Sequence, residues 1–410
     1  MRIAFVSSYP PTTCGIATYT RNLGEALRRV DPTVSITVLT EVPWSGDPPV
    51  DVEVRPGFAF EDDYVPGLVR EIDRSGADVV HIQHEYGLFG MDQRFLELLR
   101  GLRHREVRTV VTMHSVHTSL SIDLGCASWR GRSPLRDLDI EEYQREVVGL
   151  ADRTVVHQEL PIRRVLLRQG ADPHRLVTIP HGTRVAPRPG RAESRQALGI
   201  DLSPPLVVAF GYFEPCKNLL TVLEALAMTR EAIPNIRLWA GGHIRHLGQD
   251  VHDYRARCRQ AVGALGLDGS VTIVDKALPE NRVAALFGAT DVACFVYDED
   301  TRSSSGAAHT ALGFGVPLIA SRIPKFAELA EVSDEILVDP RSPEAVARLL
   351  TRLLQDPDFR HEIETSVQVF AARTSWETVA AAHLAVYAKD APRGDRDGWT
   401  GRRGEELAPV

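Results

Sequence analysis

Cysteine is scarce in this chain and follows no pattern. Five stand at positions 14, 126, 216, 258 and 294. The number is odd and no CxxC pair occurs, so neither a disulfide framework nor a structural zinc site is supported, and a reducing, cytoplasmic setting is expected. A basic excess is also missing. Lys and Arg number 47 against 55 Asp and Glu, a net charge of -8, which argues against a general nucleic-acid binder and against attachment to acidic lipid by charge alone. No apolar run approaches the roughly 20 residues that a bilayer span needs. The opening MRIAFVSSYPP has too short an apolar stretch for a signal peptide, and Pro10-Pro11 breaks it, so it reads as a first buried strand. No GxGxxG follows that strand, which weakens a dinucleotide-dependent dehydrogenase. No HExxH spacing occurs, and His81, His84, His114 and His117 come from two separate segments. No metal or other cofactor is therefore expected. No internal repeat of short period is present.

What remains is ordinary globular material: 410 residues, 43% hydrophobic and 25% charged, enough for two domains. Short apolar runs alternate with helical patterns. Strands are expected at 2–7, 35–39, 79–83, 109–114, 154–157 and 176–180, with a helix at 16–30 whose apolar face carries Ile16, Leu23, Leu27 and Val30. The pattern restarts with strands at 205–211, 237–241, 270–274, 292–297, 316–321 and 335–338. Runs that are apolar on both faces and separated by helices specify parallel sheets covered on both sides. The expected fold class is therefore α/β, two doubly wound Rossmann-like domains facing a central cleft. The boundaries read as a first domain at 1–185, a Pro-containing linker at 186–200, a second domain at 201–374, a C-terminal helix at 375–390 and a disordered tail at 391–410.

In such sheets ligands sit beyond the carboxyl ends of the strands. Ser7–Gly15 follows the first strand and opens a helix, where free N–H groups suit an anion and Gly15 allows close approach; the same residues also read as a plain turn capped by Thr12 or Thr13. After the 205–211 strand, which ends in Gly211, Lys217 sits just before a helix start. That position disfavours a cation, so Lys217 is either an exposed surface lysine or one whose charge a bound phosphate offsets. Arg302, Ser303, Ser304, Ser305 and Gly306 open another helix. Their N–H groups and hydroxyls form a second anion cradle, or ordinary serine capping. His114 ends a central strand, placed to hydrogen-bond a sugar hydroxyl or share a proton. His84 and Glu85 follow the neighbouring strand and are expected to line the cleft. The long, aperiodic stretch 119–139, with Trp129 and Arg130, is expected to shape an acceptor pocket, or to be a surface loop.

Taken together, these segments resemble the GT-B glycosyltransferases, in particular the retaining, family-4-like group. The resemblance rests on PTTCGIATY at 11–19, VTMH ending at His114, IPHG at 179–182, FGYFEPCK at 210–217, and SG at 305–306 leading to ALGFGVPLIAS at 311–321. It implies transfer of a hexose-type sugar from a nucleoside-diphosphate sugar to a small-molecule or glycan hydroxyl. Donor phosphates would be held by Lys217 and by the helix entrance at Ser305-Gly306, with Gly15 approaching from the first domain. His114 would touch donor sugar or acceptor, and the C-terminal helix would cross back onto the first domain. A homodimer is left open. Two departures stand out. The arginine usual after the glycine matching Gly211 is Tyr212 here, and the usual glutamate pair falls at Arg302 and Thr310. Arg302 could instead offset diphosphate charge. The same fold also hosts nucleotide-sugar epimerases and non-catalytic sugar-binding homologues.

Overall fold

The computed structural model describes residues 1–47, 49, 51–59, 63–105, 107–118, 139–242, 249–299 and 302–388. The chain divides into two units. One comprises Met1–Pro180, Thr301–Ser303 and Glu377–Val410, the other His181–Asp300 and Ser304–Trp376.

The first unit is built on a parallel sheet ordered β3-β2-β1-β4-β5-β7-β8. Its strands are β1 (Arg2–Val6), β2 (Ser35–Glu41), β3 (Val52–Phe58), β4 (Val79–His84), β5 (Arg108–Met113), β7 (Arg153–Val156) and β8 (Leu176–Thr178), with the two-residue β6 (Ser115–Val116) beyond β5. All six residues of β4 are buried, as a central strand covered on both faces requires. The edge strand β3 escapes the sequence pattern because Pro56-Gly57 lies inside it. Only an edge tolerates a proline that cannot donate to the ladder, and β3 pairs with β2 alone. The helix Gly15–Val30 buries Ala17, Tyr19, Thr20, Leu23 and Leu27. Val30, the last residue of this helix, is exposed, not core as expected. Neither Thr12 nor Thr13 caps this helix; its N-cap is Cys14, with no side-chain bond. Residues 377–388 of the helix Trp376–Ala388 belong to this unit. There Tyr387 Oη lies 2.6 Å from Nδ1 of the buried His81.

The second unit has a parallel sheet ordered β11-β10-β9-β12-β14-β15. Its strands are β9 (Leu206–Phe210), β10 (Arg237–Gly241), β11 (Val271–Val274), β12 (Val292–Phe295), β14 (Leu318–Ser321) and β15 (Leu337–Val338). The short strand β13 (Arg302–Ser303) belongs to the first unit, where it pairs antiparallel with β6. The stretch expected to be a linker is largely ordered structure. Residues Arg191–Leu198 form a helix, pinned by the fully buried Arg195, whose guanidinium donates to the Ala289, Asp201 and Leu202 carbonyls and to the Asp291 carboxylate. A buried guanidinium is tolerated only with this degree of pairing. Among the described residues, no helix is long and apolar enough to cross a membrane.

Candidate anion site and histidine cluster

The second unit gathers its chemistry where β9 and β12 end. Chain passes from β9 through Gly211 into the short 3-10 turn Pro215–Lys217. Asn218 follows in the left-handed region at φ 52°, anchored by its Nδ2 donating to the Pro340 carbonyl at 2.7 Å, and the helix Leu219–Thr229 begins. Lys217 is thus fixed immediately before a helix start, as its sequence position predicts. Beside this turn runs the segment that leaves β12, tied to it by the Asp298 N–H donating to the Cys216 carbonyl at 2.9 Å.

That segment supplies Tyr297 and Glu299. The Lys217 ammonium lies 3.8 Å from the centre of the Tyr297 ring, a cation over the negative face of an aromatic π-system. It also lies 3.3 Å from Glu299 Oε1. Burial alone would pull this ammonium's pKa down; Glu299 in particular, with Tyr297, Cys216 and Glu214, outweighs it and holds it above its ordinary value. The charge is therefore offset within the protein by a carboxylate. Burial raises the Cys216 thiol to about 11, which keeps it protonated near neutral pH.

Tyr297 links this turn to the third piece of the site. Burial raises the Tyr297 phenol's pKa, and the neighbouring Lys217 and Ser305 side chains work against that rise. Ser305 is the N-cap of the helix Gly306–Gly313 and accepts from the Ala308 N–H at 3.3 Å. The two readings of the serine run therefore converge: Ser305 caps the helix and faces the tyrosine on which Lys217 rests. Gly306 is exposed, and a Cβ placed on it would sit 3.7 Å from His181 Nε2. A pocket is lined by Gly211, Tyr212, Phe213, Lys217, Gly241 and Tyr297, among others. Gly211 has φ 147° and Gly242 φ 151°, and a Cβ on Gly242 would run into the Gly211 carbonyl. Two chain segments meet there closer than any side chain permits.

Two further residues expected on the donor are also placed by the structure. Thr310 Oγ1 donates back to the Gly306 carbonyl at 2.8 Å, which leaves its oxygen as an acceptor. Arg302 opposes Val116 in the β13–β6 pair and belongs to the first unit. Ser304, half-buried, stays with the second unit.

In the first unit, the strand ends carry buried histidines. His114 has Nε2 2.8 Å from Gln83 Oε1 and Nδ1 3.1 Å from His157 Nε2, with Tyr19 edge-on at 4.7 Å between ring centroids. His157 Nδ1 faces the Ile179 carbonyl at 3.2 Å. A carbonyl only accepts, so Nδ1 carries the proton; a neutral His157 then accepts at Nε2 and His114 donates from Nδ1. Neutral rings close this chain only when Gln83 turns its amide NH2 toward His114. Glu85 is half-buried, capping the short helix Tyr86–Phe89 through Tyr86 N–H and accepting from Ser115 Oγ at 2.9 Å.

His84 is not where the sequence reading puts it. It is fully buried, its Nε2 bonded to Tyr143 Oη at 3.0 Å, its ring among Tyr86, Phe89 and Phe95. Side chains alternate along a strand, so His84 shares the core face of Ile82, while His81 and Gln83 share the other. Burial, aided by His117, drops its pKa to about 3. It is a neutral core group and not an acceptor ligand. Trp129 and Arg130 lie outside the described residues. Gly15 has open space around its Cβ position. Among the described residues no group of three or more His, Cys, Asp or Glu is placed to hold a metal.

The sequence reading missed Tyr297, Glu299, Lys325, Gln83 and His157. Each lies on or just beyond the carboxyl end of a parallel strand, so inspecting every strand end, including β4, β7, β12 and β14, would have found them.

Residues 13–186 match the family described as Glycosyltransferase Family 4, and residues 204–356 match that described as Glycosyl transferases group 1. The D-inositol 3-phosphate glycosyltransferase of Segniliparus rotundus is 27% identical over 282 residues, 68% of this chain and 61% of that protein, so this match spans less than two thirds of the relative's length. The protein of the same name from Mycobacterium tuberculosis is 28% identical over 412 residues, covering 94% of this chain and 81% of its own. Among solved structures, sucrose-phosphate synthase from Thermosynechococcus elongatus superimposes with a TM-score of 0.72 at 20% identity, over 94% of this chain and 98% of that one. Anabaena HepE in complex with UDP and glucose does so with a TM-score of 0.68 at 16% identity, over 94% and 99%.

Proposed function

Because this chain belongs to the family-4-like glycosyltransferases of the GT-B fold, we propose that it transfers a hexose-type sugar from a nucleoside-diphosphate sugar to an acceptor hydroxyl with retention of anomeric configuration. One observation carries the assignment of the donor site. The Lys217 ammonium rests on the Tyr297 ring, and Tyr297 neighbours Ser305 at the entrance of the helix Gly306–Gly313. A cation and a helix N-terminus meeting on one tyrosine make a site for two linked phosphoryl groups.

In this reading, Lys217 and the N–H groups at Ser305-Gly306 stabilise the charge that builds on the leaving diphosphate. The bond from the anomeric carbon to the phosphate oxygen breaks. The bond to the acceptor oxygen forms on the same face, and the acceptor proton passes to the departing phosphate. No side-chain nucleophile is required. His114 of the first unit, held at both ring nitrogens by Gln83 and His157, would meet a sugar hydroxyl by exchanging one of these partners. The HepE complex with UDP and the relatives' name make UDP-glucose and inositol 3-phosphate the first donor and acceptor to try.

The test is incubation with UDP-, GDP-, ADP- and TDP-linked hexoses, with and without acceptor, read by mass spectrometry and by the anomeric coupling of the product in NMR. A glycosylated acceptor of unchanged anomeric configuration is expected, with turnover lost in Lys217→Ala. Full activity and donor affinity in Lys217→Ala would defeat the assignment. Free sugar or nucleotide released equally well without acceptor would point to the epimerase class.

A further inference from the structure

Lys217 is not the only cation on Glu299. Lys325 stands at the start of the 3-10 segment Pro324–Glu331, four residues beyond β14. Its Nζ is 3.6 Å from the same Oε1 that Lys217 Nζ approaches at 3.3 Å. The side chains of Lys217, Glu299 and Lys325 are 21%, 13% and 11% exposed. Two ammoniums drawn from distant parts of the chain thus converge on one oxygen atom in a half-dry place, with Glu214 on the Lys217 turn contributing a further negative field. Bringing two like charges together out of water is unfavourable unless an anion lies beside both. A carboxylate gives that pair one oxygen to share. A diphosphate gives several oxygens and at least twice the charge, and so is the better counter-ion for the same two lysines.

We propose that Lys325 is a second phosphate ligand of the donor site, and that Glu299 is an internal counter-ion for Lys217 and Lys325 which a diphosphate displaces. This rests on the reading of the Lys217 pocket as a nucleoside-diphosphate site. Its consequence concerns specificity. Donor affinity reflects an exchange of one anion for another, and a ligand with a single weak negative charge does not displace the carboxylate. Asp298, the neighbour of Glu299, is held by Arg341 at 3.1 Å and by its N–H on Cys216, so the backbone stays in place while the Glu299 side chain turns.

The experiment is titration calorimetry of the full chain with UDP, GDP, ADP, TDP and inorganic pyrophosphate, for the wild type, Lys325→Met, Glu299→Gln and Lys217→Met, each checked for folding by circular dichroism. Losing one charged contact to phosphate is expected to weaken the best-binding diphosphate about 10- to 100-fold in Lys325→Met. Glu299→Gln keeps the shape and removes the competing charge. It should bind the diphosphate and pyrophosphate tighter, by about tenfold, while melting at a lower temperature. A purely structural ion pair would lower the melting temperature and leave affinity unchanged or weaker. Wild-type binding that neither Lys325→Met nor Glu299→Gln alters overturns the inference and leaves the donor site standing. No nucleoside diphosphate bound by the wild type, nor by Glu299→Gln, overturns the donor site itself. If Lys325→Met does not fold, the direction of the Glu299→Gln change decides alone.

Discussion

The two units use one architecture for opposite chemistry. Each has a parallel sheet with its polar residues where strands end. In the first unit those residues are His81, Gln83, His114 and His157, bonded to one another and to Thr112, Tyr387 and a backbone carbonyl. In the second they are Lys217, Glu299 and Lys325, which are charged and share one oxygen. Groups that both donate and accept suit hydroxyls, whose recognition needs direction more than field. Converging ammoniums beside a helix entrance suit phosphates, whose recognition needs charge. The difference shows that a doubly wound unit sets where a ligand binds, and the side chains at the strand ends set what kind.

The largest expected effect tests the neutrality of the first unit by acid. Burial lowers His84 to about 3 and His383 to about 4, and puts His81 well below its ordinary range. For each, the folded pKa lies below the unfolded value near 6.5, so the unfolded chain binds more protons as pH falls. Stability is therefore fully present above about pH 6.5 and is lost progressively toward pH 3. The gap at His84 alone is worth roughly 5 kcal/mol when fully expressed. Urea unfolding between pH 7 and 4 should show this fall, and His84→Phe should flatten it at a cost of about 1 kcal/mol at pH 7 for the lost Tyr143 bond. An acid limb of the same depth in His84→Phe would mean that the first unit's strand ends are not its neutral, acid-labile part.

How much of this could be read beforehand follows from what kind of signal each residue leaves. The sheets were legible because strands covered on both faces are written as continuous apolar runs, as at Val79–His84. The edge strand Val52–Phe58 was not, since Pro56 and Gly57 imitate a turn. Lys217 and Ser305-Gly306 were legible because each follows a strand and opens a helix, a purely local pattern. The error at His84 was local too: the apolar Ile82, two residues earlier, already marks that face as core. Glu299 and Lys325 left no local mark of partnership. Their meeting with Lys217 joins residues 82 and 108 positions away from it, a distance only the folded sheet closes.

A smaller effect asks whether the two chemistries are independent. Lys217→Met should weaken nucleoside-diphosphate binding about 100-fold, the worth of a charged contact in a partly dry site, and His114→Asn should leave it within about twofold. Calorimetry with the nucleotide alone, free of any acceptor, reads this directly. Equal losses in both variants would mean that the histidine cluster also serves the phosphate groups, and the contrast between the units would fail.

The smallest effect sharpens the contrast at a single residue, Ser305. Its hydroxyl caps the helix Gly306–Gly313, so Ser305→Ala should cost about 1 kcal/mol of stability and lower the melting temperature by a few degrees. Ser305→Asp separates the cap from the anion site. An aspartate is as good a cap as serine and its charge favours a helix N-terminus, so stability should return to near the wild-type value. The same charge occupies the place proposed for the donor phosphates, so diphosphate binding should fall by more than it does in Ser305→Ala. A Ser305→Asp variant that is both stable and undiminished in nucleotide binding would show that the entrance of this helix holds only its own cap, and that the charge of the second unit is gathered for something else.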